Sequence, residues 1–139
     1  MRTEPRALLV CLALFVSGCA LFDSGGDPVA VVPPMLTGDW DIAAVDTTGL
    51  EFDMSFFLQQ DDVQVSGVFT VIGADSAGEI AGTVTEQSVE LDMNWLSPCR
   101  VTWNATLSVD EAFATMTGFY AGPGCAGLPV SGTLTGSKR

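Results

Sequence analysis

From Leu36 onward the chain alternates apolar and polar residues with a period of two, over about a hundred residues. That period belongs to the β-strand, whose successive side chains point to opposite faces. Leu50, Phe52, Met54, Phe56 and Leu58 share one face, while Glu51, Asp53, Ser55 and Gln59 share the other. Val89, Leu91, Met93 and Trp95 alternate with Ser88, Glu90, Asp92 and Asn94. Val101, Trp103, Ala105, Leu107 and Val109 alternate with Thr102, Asn104, Thr106 and Ser108. Strands with one apolar face and one wet face are those of antiparallel sheets. Nothing after residue 35 sustains a 3.6-residue repeat, so the sequence predicts an all-β domain.

Eight runs are expected as strands: 36–45, 50–59, 63–72, 79–85, 88–95, 100–109, 112–120 and 129–136. The second, fourth and sixth connections are short, whereas the odd ones are generally longer and hold the Gly and Pro residues. In an up-and-down meander all odd connections fall at one end. One end is therefore tightly closed and the other carries a rim of loops. Eight such strands bury their apolar face by closing into a small barrel, which also removes exposed edges. An open sheet folded into a sandwich is the alternative. The 139 residues suit one domain, at 36–139, preceded by two short segments.

Residues 1–18 form the first of these. Arg2 and Arg6 precede an uncharged apolar run, Ala7 to Val16, too short for a membrane span and suited to a secretory signal peptide. Val16-Ser17-Gly18-Cys19 resembles the lipobox of bacterial lipoproteins. The resemblance implies cleavage before Cys19, lipidation of its sulfur and anchoring in the cell envelope through several acyl chains. Ala20, in the place where an Asp would retain many such proteins, implies the outer membrane. Residues 19–35 mix Gly, Asp and Pro without a period and read as a tether. An ordinary cleaved signal peptide, with Cys19 as a spare thiol, is the alternative.

Of four cysteines, Cys11 leaves with the leader and Cys19 takes lipid. Export makes a Cys99–Cys125 disulfide the expected fate of the remaining pair. A redox or metal pair fits less well, because the spacing is not C-x-x-C and the chain contains no His.

Gly38-Asp39-Trp40 opens the first strand and resembles the G-x-W of lipocalins and avidins, both eight-stranded meander barrels. The resemblance implies a basic residue over the Trp40 ring, and Lys138 or Arg139 is placed to supply it. The stretches GTVTEQSVELDM, ATMTGFYAG and SGTLTG are similar to the Gly/Thr-rich strands of small bacterial lipoproteins of unassigned function. No residue set matches the polar biotin site of avidins.

The formal charge of −12, from 17 acids and 5 bases, argues against a nucleic-acid partner. The absence of His removes the commonest general base and metal ligand, and neither G-x-S-x-G nor H-E-x-x-H occurs. The expectation is a non-enzymatic binding module without a cofactor. Trp95, Trp103, Phe119 and Tyr120 fall near the rim and are the candidate ligand residues, with simple core filling as the alternative. Asp39, Asp41, Glu51 and Asp53 form an acidic group. If strands one and two pair so that Trp40 and Phe52 share the inner face, Asp41 can sit opposite Asp53 outside, a repulsion a cation could relieve, but no D-x-D-x-D-G loop supports a metal site. A protein partner at the rim loops or the acidic face is a further reading. Some bacterial lipoproteins with small disulfide-bonded barrels block lysozyme, but Ser66-Gly67-Val68-Phe69 departs from their S-G-x-x-Y pattern.

Overall fold

The computed structural model describes residues 35–139, and each alternating run becomes a strand in it. They are β1 (Gly38–Asp46), β2 (Glu51–Asp61), β3 (Gln64–Val71), β4 (Ala77–Thr85), β5 (Ser88–Ser97), β6 (Val101–Val109), β7 (Thr115–Pro123) and β8 (Pro129–Lys138). Each strand pairs antiparallel with the next, and β8 returns to β1, so the sheet is a closed barrel with no free edge. This settles the choice between barrel and sandwich. The leader, Cys11, Cys19 and the expected tether up to residue 34 lie outside the described residues.

The inward face of each strand carries the apolar partners of the alternation. Trp40, Met54, Phe56, Leu58 and Met93 are fully enclosed. Among the described residues no polar or charged side chain is buried. A small barrel must bend its strands sharply, and glycines at inward positions allow this. Gly67, Gly82, Gly118 and Gly132 each bring the neighbouring strand so close that a Cβ would collide with its backbone carbonyl. Gly78, Gly122 and Gly132 also lie directly against the rings of Phe69, Trp103 and Tyr120. Small inward residues thus face large ones, which lets eight strands enclose so many aromatics.

The closed end is sealed by the chain entering it. The Trp40 indole Nε1–H donates to the Leu36 carbonyl at 2.8 Å, and the Leu36 amide donates to Gln60 Oε1 at 2.9 Å. Register places Trp40 beside Lys138, whose Nζ lies 5.8 Å from the ring centroid and donates to the Met35 carbonyl at 2.8 Å. Of the two bases at the C-terminus, Lys138 therefore takes the position over the ring. Arg139 pairs instead with Asp41.

Two local expectations are corrected. Strand β7 starts at Thr115 rather than at residue 112. The Asp110 carboxylate accepts from the amides of Ala114 and Thr115, which holds 110–114 as a turn and delays the strand. Asp41 does not face Asp53. The register sets Trp40 opposite Phe56, Asp41 opposite Ser55 and Ala43 opposite Asp53. Asp46 causes the offset by accepting from Thr48 and Leu50, so the first turn is wider than a tight hairpin. Among the described residues no three acids or cysteines gather to hold a metal ion.

Candidate functional site

Strand direction sends Phe52 on β2, Trp95 on β5, Trp103 on β6 and Tyr120 on β7 to the rim end of the barrel interior. Their rings make a continuous arc. Phe69 and Trp95 meet edge to face at 4.8 Å between centroids, and Trp95 and Trp103 lie 4.5 Å apart. Trp103 stacks on Tyr120 at 4.9 Å with 16° between planes, and Tyr120 meets Phe52 at 6.5 Å. Such pairs are worth about 0.5–1.5 kcal/mol each beyond burial. Burial, and then the Asp46 carboxylate, push the Tyr120 phenol above its ordinary value, so it stays neutral.

Phe119 does not join them. It is 70% exposed on the outer wall. Adjacent residues of a strand cannot share a face, and the inward parity of β7 runs Met116, Gly118, Tyr120. The sequence carried that signal in the alternation itself.

Beneath the arc the barrel is full. Above it lies a recess of about 250 Å³, walled by Phe52, Trp95, Trp103, Val71 and Val101. Its roof is the pair of loops joined by Cys99–Cys125, with Pro98 and Gly124 beside the half-cystines. The disulfide is thus a wall of the site, with its Cα atoms 5.7 Å apart. No lining residue is charged. Of the residues named from the sequence, Trp95 and Trp103 line the recess, Tyr120 stacks on Trp103 without lining it, and sequence reasoning missed Phe52, Val71 and Val101. Their inward parity marks them, but only the closed barrel brings β2, β3 and β6 to one mouth. Leu50, Ile72, Leu96 and Leu128, in or beside the odd connections, are exposed large apolar residues, and Ile72 borders the outer-wall recess described below.

The tryptophans differ in one respect. The Trp103 Nε1–H donates to the Pro123 carbonyl at 2.9 Å, and that of Trp40 is answered as described above. The Trp95 Nε1–H is buried and finds no acceptor among the described residues, while its side chain lines the recess. A buried donor without a partner costs about 1–3 kcal/mol.

A second recess, of about 550 Å³, lies on the outer wall over β1, β2 and β8, lined partly by Asp41, Asp53, Thr135 and Ser137. Arg139 beside Asp41 holds that carboxyl below its usual range and occupies the charge there.

No known protein-family model and no curated protein matches the chain. The fold is similar to that of solved β-barrels, designed or redesigned ones among them. EF1p2_mFAP2b, solved bound to DFHBI, is similar with a TM-score of 0.63 at 15% identity, over 75% of this chain and 93% of that one. The redesigned β-barrel mFAP1, also bound to DFHBI, gives 0.57 at 14% identity, over 75% and 94%. A fluorescence-activating β-barrel designed de novo gives 0.56 at 16%, over 74% and 93%. At these identities the likeness establishes the architecture: a small, eight-stranded antiparallel barrel.

Proposed function

We propose that this chain is a non-enzymatic binding module that holds a small apolar or amphipathic molecule in the mouth of its barrel. One observation carries the reading. The inward side chains below the aromatic arc are buried, and at the rim lies an uncharged, aromatic-walled recess of about 250 Å³. Concave, mostly apolar sites with few polar groups are where small molecules bind. The outer-wall groove is larger but is bordered by carboxylates, one already paired with Arg139. Barrels of the same architecture have been solved bound to DFHBI at their own sites, which supports the reading by analogy. With the lipobox-like Val16-Ser17-Gly18-Cys19, the module is anchored through Cys19 in the bacterial envelope, with the outer membrane as its expected place.

The test is native mass spectrometry of the full chain from an exporting bacterial host. A mass excess that is lost on denaturation, and that extraction identifies as a small apolar compound, is the expected result. A protein that carries nothing, and whose tryptophan fluorescence no apolar probe changes, overturns the reading.

A further inference from the structure

We propose that the outer wall of β1–β4 docks a basic, amphipathic segment of a partner protein. The segment sets an apolar side chain on Phe57 and Val68 and reaches Asp39 and Glu79 with a lysine or arginine on each side. This face lies outside the barrel, so the proposal is independent of the mouth reading.

Register builds the face. Asp39 stands opposite Phe57, Phe57 opposite Val68, and Val68 opposite Glu79. All four residues have the outward parity of their strands and are exposed. One row across four neighbouring strands therefore reads carboxylate, ring, branched aliphatic, carboxylate. Phe57 is 45% and Val68 50% exposed, and they are direct cross-strand neighbours, so their apolar surfaces adjoin. The outer wall of a closed barrel is convex, so the apolar pair forms a ridge and the two carboxylates fall to its flanks. Lysine and arginine, with apolar stems and charged tips, suit such flanks.

Charge defines the partner. Among the described residues, every acid that lies in a strand belongs to β1, β2, β4 or β5, and β6, β7 and β8 contain none. Strands β1–β5 contain no Lys or Arg, and Arg139, at the margin of the face, is taken up by Asp41. Solubility is served by charge spread over all faces. Here it gathers on one half of the barrel, where it attracts a cationic partner and orients its approach. A second copy of this chain, with its formal charge of −12, is repelled, as is an anionic lipid surface. The uncharged half offers no equivalent. Phe119 is exposed there too, but it stands between Thr106 and Thr133 and has no carboxylate at either side.

The experiment uses the full, oxidised chain in nanodiscs of zwitterionic lipid, with empty nanodiscs as reference. Three short labelled peptides are titrated by fluorescence anisotropy. One has a central phenylalanine between lysines, one has serine for that phenylalanine, and one has glutamates for the lysines. The first is expected to bind about tenfold more tightly than the second, because only it buries a ring on the ridge, and the third is expected not to bind. Affinity for the first is expected to fall about tenfold from low to high salt. Phe57→Ser/Val68→Ser is expected to bring the first peptide to the affinity of the second. Asp39→Asn/Glu79→Gln is expected to weaken the first peptide about tenfold, whereas Glu86→Gln/Glu111→Gln, which removes the same charge from two connections, changes it by less than about twofold. In the wild-type chain the first peptide is expected to shift the Val68 methyl resonances, a readout that does not depend on how a variant folds. Equal losses in the two charge variants reduce the attraction to net charge and overturn the face. Equal affinity for the first two peptides overturns the amphipathic partner. No binding of the first peptide, or shifts at the Trp103 indole with none at Val68, overturns the docking site itself.

Discussion

Removing the Cys99–Cys125 bond tests both the stability and the site, because the bond joins two rim loops and walls the recess. The perturbation is the double variant Cys99→Ala/Cys125→Ala, which leaves no lone thiol to mispair. The bond spans a sequence separation of 26 residues. Its removal frees the unfolded chain from a closed loop of that size, and the chain-entropy relation gives about 3.5 kcal/mol at 25 °C. For a domain near a hundred residues, each kcal/mol moves Tm by about 4–8 °C, so a fall of roughly 15–25 °C is expected. The assay is thermal and urea unfolding followed by circular dichroism. A reductant is expected to move the wild-type chain by a similar amount and leave the double variant unmoved. The variant frees two loops whose half-cystines line the recess, so affinity for an apolar probe falls with stability. A shift in Tm of less than about 4 °C, or a double variant that still responds to reductant, refutes the reasoning.

Gly122→Ala builds a Cβ into the Trp103 ring and the Thr102 carbonyl, and overpacking of this kind costs about 1–3 kcal/mol. Urea midpoints and the near-ultraviolet signal of the stacked rings check it. Lys138→Met keeps the apolar stem but removes the cation over Trp40 and the bond to the Met35 carbonyl, for a loss of about 1 kcal/mol in urea unfolding. Phe119→Ser is expected to change stability by less than about 0.5 kcal/mol and to leave probe binding unaltered, since that ring faces outward. Asp110→Ala removes the acceptor for the Thr115 and Ala114 amides, which hold the Asp110 carboxyl below its ordinary value of 3.8. A depressed folded-state pKa stabilises above the unfolded value, and that stability is lost as pH falls through the folded one. The Tm gap between wild type and Asp110→Ala is therefore open at about pH 6 and closes toward about pH 2.

The alternation made the strands legible because a side-chain period of two is a local property of the chain. Seven of the eight strands start within two residues of the expected position, and the eighth, β7, starts three late. What local pattern could not carry was competition for backbone amides. Asp110 and Asp46 captured amides in the sixth and first connections, which displaced the start of β7 and the β1–β2 register. The site was legible in part. Trp95, Trp103 and Tyr120 follow from parity and strand direction, and parity alone separates Phe119 from Tyr120. The contacts that shape the recess are different in kind. Gly78 against Phe69, Gly122 against Trp103 and Gly132 against Tyr120 join residues of neighbouring strands, so they follow from strand register and not from alternation within a strand.

Those cross-strand pairs also account for a barrel that is full below and open above. A ring that lies against a glycine of the neighbouring strand takes room that a side chain at that position would fill. At the closed end Trp40, Phe56, Leu58 and the entering Leu36 are fully buried. The rings of Phe69, Trp103 and Tyr120 each lie against a glycine, and of the three Trp103 lines the recess. The disulfide then fixes two of the four rim loops over it. The recess has no charged lining residue, and the Trp95 that lines it carries a buried indole N–H with no acceptor among the described residues. Its selectivity follows from the placement of glycines as much as from the aromatics themselves.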